Sequence, residues 1–156
     1  FHNPEAPPSA LIMNKTVLPT RLPTRLQWNV TPAQLNALYK ASGESGRAGP
    51  RDTLCGVFAG DELICGARLL KYGRCWLLRN LCTHPQYRRQ GHASHLLQAL
   101  IATPSHQPLV TLPLPHLNDF YQRHGFRVMD MGSNTMDTGL HTLWRQSRRK
   151  IRLTTS

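Results

Sequence analysis

Tyr87-Arg88-Arg89-Gln90-Gly91-His92-Ala93-Ser94 gathers two arginines, a glutamine, a glycine and a small residue into one short stretch. The chemistry this composition suits is phosphate binding. Gly91 lets backbone come close to a ligand, and Ala93 keeps the next bend small. If a strand enters such a turn and a helix leaves it, several N–H groups and the positive end of the helix dipole point at one anion. The competing account is a solvated basic loop. Other reactive side chains form no obvious site by spacing. His92 and His95 stand at helical i, i+3 spacing without acidic or cysteine partners beside them, which argues against a metal. Cys55, Cys65, Cys75 and Cys82 contain no C-x-x-C pair. They fall in expected strands, so buried reduced thiols and a cytoplasmic setting are predicted.

The elements that must position this turn are legible on both sides. Cys75–Thr83 predicts a largely buried strand leading in. Ala93, Leu96, Leu97, Leu100 and Ile101 fall at i, i+3, i+4, i+7 and i+8, the apolar stripe of a packed helix. Upstream, residues 26–30 predict a first strand. Thr31, Pro32 and Gln34 then predict an N-cap, a first-turn proline and a capping box. Leu35, Leu38 and Tyr39 form that helix's apolar face, and Gly43 ends it. Residues 42–51 carry three glycines and a proline, predicting a mobile loop. Strands are predicted at Thr53–Ala59 and 63–70, with hairpin-like breaks at Gly60-Asp61-Glu62 and Lys71-Tyr72-Gly73-Arg74. Downstream, residues 104–108 predict a break and 109–114 a short strand. A short helix over 116–124 closed by Gly125, a strand over 126–131, a turn over 132–139 and a last strand over 140–147 complete the reading.

Residues 1–25 carry Pro4, Pro7, Pro8, Pro19 and Pro23 without periodicity, predicting an extended or disordered arm. Leu18-Pro19-Thr20-Arg21 recurs there as Leu22-Pro23-Thr24-Arg25. Met13 is a candidate start, which would make residues 1–12 an upstream extension or a cloning remnant. Residues 148–156, with Arg148, Arg149, Lys150 and Arg152, predict a basic tail, either a solvated end or a nucleic-acid contact.

The turn resembles the acetyl-CoA pyrophosphate motif, Arg/Gln-x-x-Gly-x-Gly/Ala, of the GNAT superfamily of N-acetyltransferases. Thr83-His84-Pro85-Gln86-Tyr87 resembles the family's lead-in to that motif. Phe120-Tyr121-Gln122-Arg123-His124-Gly125-Phe126 resembles its second signature, F-Y-x-x-x-G-F. The resemblance covers residues 31–147. It implies an α/β (α+β) fold: a single-domain acyl-CoA N-acyltransferase over residues 26–147, with a mixed, mostly antiparallel sheet splayed at its central strand and flanked by helices.

The resemblance also implies chemistry. Acetyl-CoA is the expected co-substrate, with its pyrophosphate held by Arg88, Arg89, Gln90, Gly91, His92, Ala93 and Ser94. Backbone groups of Leu81, Cys82 and Thr83, freed by the splay, would bond the pantetheine arm, and one N–H would face the developing oxyanion. Tyr121 matches the family's general acid, whose phenol donates to the departing sulfur. The alternative for Tyr121 is a ring packed under the sheet. Two positions depart from the pattern. Arg79 and Asn80 stand where many members carry a carboxylate base, leaving His84, His116 or a water chain as candidates. Leu114 stands where an asparagine often contacts the cofactor, and Asn118 is the candidate substitute.

At 156 residues the chain is long enough for one domain with its own core. No window approaches 18 continuous apolar residues, so no membrane partner is expected. The first residues lack the pattern of a secretory signal. A net charge of +11 favours anionic ligands: coenzyme A, nucleic acid or an acidic protein surface. The scattered basic residues and the lack of an aromatic-rich recognition motif argue against nucleic acid. The function expected is acetyl-CoA-dependent N-acetylation of a small-molecule or peptide primary amine, without a metal. A homodimer is left open. The alternative is a catalytically inactive CoA-binding module that acts through a protein partner.

Overall fold

The structure is a computed structural model that describes residues 26–128 and 138–155, with side chains described through residue 146. Helix α1 (Pro32–Ser42) starts where its cap residues predict. The Thr31 hydroxyl accepts from the Gln34 N–H at 3.1 Å, and Gln34 Oε1 accepts from the Thr31 N–H at 2.9 Å. Two otherwise orphaned donors are thereby satisfied. Gly43 closes the helix at φ 72°, in the left-handed region that favours glycine.

Strands β1 (Thr53–Ala59), β2 (Glu62–Tyr72) and β3 (Cys75–Thr83) form the expected antiparallel meander. After β3 come a 3-10 turn at Pro85–Tyr87 and helix α2 (His92–Ile101), the crossover that a parallel fourth strand needs. That strand, β4 (Leu109–Thr111), lies beside β3, giving the sheet order β1-β2-β3-β4. A 3-10 turn at Pro115–Leu117 then leads into α3 (Asn118–Arg123), and α4 (Thr138–Thr155) follows. The result is an α+β fold with a mixed four-stranded sheet flanked by helices. Helix α2 buries Leu96, Leu97 and Leu100 on one face of the sheet, with Cys55, Cys65, Leu69, Leu78 and Tyr121 in the same cluster. A second cluster joins Leu35, Leu38 and Tyr39 of α1 to Leu54 and Leu63.

The splay is local and has a cause. Parallel pairing covers only residues 76–78 of β3, against residues 109–111 of β4. The Thr111 hydroxyl donates to the Leu78 carbonyl at 3.3 Å, in place of the next ladder bond. Pro113 and Pro115 follow, and neither has an N–H to continue the pairing. Residues 79–83 of β3 therefore keep β2 on one side and have no β4 partner on the other.

Four expectations fail within the described residues. Residues 26–30 form no strand: only Gln27 bridges Gly56, through bonds of 2.8 and 3.0 Å. Val30 leaves the sheet to pack with α1, and Thr31 is committed to the cap. The strand over 109–114 stops at Thr111, for the reason just given. Residues 126–128 are irregular rather than a strand, and residues 129–131 and most of the 132–139 turn lie outside the described residues. The last strand over 140–147 is instead part of α4. Leu140, Leu143 and Trp144 are spaced i, i+3, i+4, and Leu140, 2 % exposed, packs on Leu77 and Val110 with Leu143 beside them. Helical burial on that face outweighs the β-propensity of the segment. The 1–25 arm lies outside the described residues.

Candidate functional site

The basic turn sits where strand, turn and helix were expected. Gly91 is the N-cap of α2 at φ 82°, with no side-chain cap bond and no acidic residue in the first turn. The helix's first N–H groups are therefore available to an anion. A Cβ on Gly91 would meet only His95 Cε1, at 3.8 Å, so the backbone angle rather than crowding calls for glycine. Arg89 also has positive φ, 64°, an uncommon conformation for an arginine, and its side chain is exposed. These features fit a pyrophosphate. Gln90 is exposed in the same turn, and Ala93 packs on the α2 core cluster.

Three residues of the turn are placed differently from their neighbours. The Arg88 guanidinium donates to the Thr83 carbonyl at 3.1 Å and to the Ser42 carbonyl at 3.4 Å, so it ties the turn to β3 and α1. The Ser94 hydroxyl lies 2.5 Å from His124 Nε2, while His124 Nδ1 lies 2.8 Å from the Phe120 carbonyl. A carbonyl only accepts, so Nδ1 carries the proton and Nε2 accepts from Ser94. Ser94 thus links α2 to α3. His92 Nδ1 is buried and has no hydrogen-bond partner among the described residues.

Along the length of β3 that lacks a β4 partner, Leu81, Cys82 and Thr83 run up to the turn. The Thr83 carbonyl is occupied by Arg88 and, at 3.5 Å, by the Ser42 hydroxyl. Burial pushes the Cys82 thiol up to about 12, so it is uncharged at neutral pH.

Tyr121 lies in α3, 6 % exposed, with edge-on contacts to Phe120 at 5.1 Å and Phe126 at 5.4 Å between ring centres. Burial pushes its phenol up to about 12, the Thr111 hydroxyl opposes that shift through a hydrogen bond, and the Glu44 charge adds to it. The phenol therefore holds its proton across the neutral range. Asn118 opens α3 and is exposed, and Leu114, at the asparagine position of the resemblance, is 56 % exposed.

The feature absent from the sequence reading is a polar network on the bulge of β3. Pairing of Gly66 with Cys82 and of Arg68 with Arg79 leaves Asn80 and Leu81 together opposite Ala67. Asn80 takes φ 54°, a left-handed conformation that asparagine tolerates better than most residues. Its Oδ1 accepts from Arg68 Nε at 3.0 Å, and its Nδ2 donates to Glu44 Oε2 at 2.7 Å. Arg68 also donates to the Arg47 carbonyl at 2.8 Å and pairs with Asp52 at 2.9 Å. The loop over 42–51 is thus fastened to the sheet, with Ala48 and Asn36 adding a bond of 2.7 Å. In the sequence the only trace of this arrangement is the residue type, an asparagine inside an expected strand.

The two histidine candidates are placed elsewhere. His84 caps the Pro85–Tyr87 turn, its Nδ1 accepting from the Gln86 N–H at 3.1 Å, with Nε2 3.8 Å from Glu62. His116 is exposed in the turn before α3. No group of three or more metal-ligating side chains occurs among the described residues. Among the same residues no helix is long and apolar enough to cross a membrane.

The comparisons with known proteins agree with this geometry. The family model for the GNAT acetyltransferase domain matches residues 51–128, half of the chain. Among solved structures, a GNAT family acetyltransferase from Streptococcus pneumoniae is 18 % identical with a TM-score of 0.54, covering 72 % of this chain and 92 % of its own. The N-acetyltransferase YlbP of Bacillus subtilis, solved with coenzyme A, is 16 % identical with a TM-score of 0.54, covering 73 % and 92 %. The ribosomal-protein-S18-alanine N-acetyltransferase of Escherichia coli is 15 % identical with a TM-score of 0.52, covering 65 % and 76 %. No curated protein matches the sequence. A motif match over half the chain and a shared fold, with the splayed strand and uncapped helix in their expected places, make this protein a member of the GNAT acetyltransferase family.

Proposed function

We propose that this protein is an acetyl-CoA-dependent N-acetyltransferase acting on a primary amine. The observation that carries the reading is a succession along the chain: residues 79–83 of β3, lacking a β4 partner, are followed through the Pro85–Tyr87 turn by the uncapped N-terminus of α2. Backbone groups for an extended arm and N–H groups for a pyrophosphate then lie end to end. The residues expected to contact acetyl-CoA are Leu81, Cys82 and Thr83 along the strand, and Arg89, Gln90, Gly91, His92 and Ala93 at the turn. Arg88 and Ser94 support the turn through their bonds to β3 and α3, and Asn118 stands at the α3 end.

The amine nitrogen attacks the thioester carbonyl carbon, the C–N bond forms and the C–S bond breaks. Tyr121, protonated through the neutral range, gives its proton to the sulfur. Calorimetry with acetyl-CoA, followed by thiol release with a panel of primary amines, tests this. Tight binding and turnover of at least one amine are expected. Failure to bind acetyl-CoA refutes the reading. Binding without turnover identifies the inactive CoA-binding module instead, a reading favoured by the absence of a carboxylate from β3.

A further inference from the structure

Glu44 lies in the loop between α1 and β1, yet three contacts bring its carboxylate to the central strand. Its own N–H donates to the Tyr39 carbonyl at 2.9 Å, continuing the turn after Gly43. Asn80 Nδ2 holds Oε2 at 2.7 Å. Gly46 lies so close over the Asn80 amide that a Cβ there would collide with it. The amide cannot turn over, because Arg68 Nε fixes its oxygen at 3.0 Å.

The charges show which carboxylate is committed. Asp52 neutralises Arg68 at 2.9 Å, with both side chains largely buried, and also accepts from the Gly49 N–H at 2.9 Å. Glu44 has no cation within ion-pair distance among the described residues, and Asn80 engages only one of its oxygens. Its charge acts on Tyr39 of α1, Cys82 of β3 and Tyr121 of α3, and Arg68 of β2 holds the same Asn80 amide. Burial raises the Tyr39 phenol, which is 1 % exposed, and its hydroxyl has no hydrogen-bond partner among the described residues. Two polar groups are thus left uncommitted: the second Glu44 carboxylate oxygen and the buried Tyr39 hydroxyl.

Resting on the acetyltransferase reading above, we infer that Glu44 receives the acceptor as a protonated primary amine and takes its proton, with Asn80, Arg68 and Asp52 as positioning residues. A carboxylate in this place selects cationic amines over neutral nucleophiles, and a simple alkylamine arrives as ammonium at neutral pH. One ammonium proton passes to Glu44. The freed nitrogen forms the C–N bond and the C–S bond breaks. A second nitrogen proton replaces the one that Tyr121 gives to the sulfur. The products are the amide, the free thiol and one proton, which Glu44 returns to water.

The test uses full-length protein with spermidine, tryptamine and an alanine-initiated peptide as probes, and compares Glu44→Gln with wild type from pH 6.5 to 10. The glutamine carbonyl still accepts from Asn80. At pH 7.5, kcat/KM should fall about 100-fold, within the range for a positioned base, with the Kd for acetyl-CoA unchanged. The deficit should narrow as the pH approaches about 10, where the amine loses its proton unaided. Wild-type activity in Glu44→Gln, or a loss of the same factor at every pH, overturns the assignment. The paired swap of Glu44→Gln with Asn80→Asp keeps one carboxylate and one amide. It should turn over within about tenfold of wild type even if Glu44→Gln alone does not fold. A folded but inert swap overturns the assignment as well. Wild-type protein inert toward every amine defeats the acetyltransferase reading itself, whereas active wild type with an equally active Glu44→Gln defeats only the role of Glu44.

Discussion

Replacing Tyr121 by Phe isolates one hydroxyl. The ring contacts with Phe120 and Phe126, at 5.1 and 5.4 Å, survive the change because neither involves the oxygen. What is lost is the bond to the Thr111 hydroxyl. Thr111 keeps its own bond to the Leu78 carbonyl at 3.3 Å, so the fold should lose about 1 kcal/mol, the net value of one hydrogen bond. The catalytic cost is larger if the phenol protonates the leaving sulfur. Its value of about 12 leaves it fully protonated at pH 8, so the wild-type donor is always loaded there. Removing a positioned acid lowers turnover by about 10²–10⁴-fold, or about 3–5 kcal/mol of transition-state stabilisation. The assay is thiol release at saturating amine and acetyl-CoA, with single-turnover measurements ensuring that chemistry limits the rate. Acetyl-CoA affinity should stay within about twofold, less than about 0.5 kcal/mol. Wild-type turnover in Tyr121→Phe refutes the acid assignment. Loss of acetyl-CoA binding together with turnover shows that the hydroxyl is structural.

Gly91→Val places a β-branched residue at φ 82° and a side chain over the proposed pyrophosphate site; acetyl-CoA affinity measured by calorimetry should fall at least about tenfold, and unchanged affinity in the folded variant argues against this turn. Arg88 and Arg89 should separate by salt. Arg89→Ala should weaken binding by an amount that shrinks with ionic strength, whereas Arg88→Ala, which removes bonds to the Thr83 and Ser42 carbonyls, should cause a loss that salt hardly changes. Burial raises the thiols of Cys55 and Cys82 to about 12 and of Cys65 to about 11 from an ordinary value of 9.0. Unfolded thiols ionise first, so this stability is complete below pH 9 and is lost as pH rises toward 11–12. Denaturant unfolding should show a slope of up to about 1.4 kcal/mol per pH unit for each thiol, and a flat profile to pH 11 contradicts their burial.

The sequence by itself determined what depends on neighbouring residues. The α1 cap is written in Thr31, Pro32 and Gln34, and the α2 stripe in Leu96, Leu97 and Leu100, because helix caps and helix faces involve residues only a few positions apart. The turn at Gly91 is equally local, since the left-handed residues Arg89 and Gly91 both lie within the few positions before α2. The i, i+3, i+4 spacing of Leu140, Leu143 and Trp144 in α4 was present too, but a segment with Leu140, Thr142 and Leu143 also satisfies a strand pattern. Contact with Leu77 and Val110 decides for the helix. What tertiary structure alone decided is the polar centre of the site. Glu44, Asp52, Arg68 and Asn80 come from two loop positions and two strands, and no short-range pattern links them. A bulge in β3 turns Asn80 toward the loop, and only folding brings the loop carboxylate to it. A strand carboxylate would have been visible as a letter in the sequence; a carboxylate delivered through space becomes visible only once the chain has closed on itself.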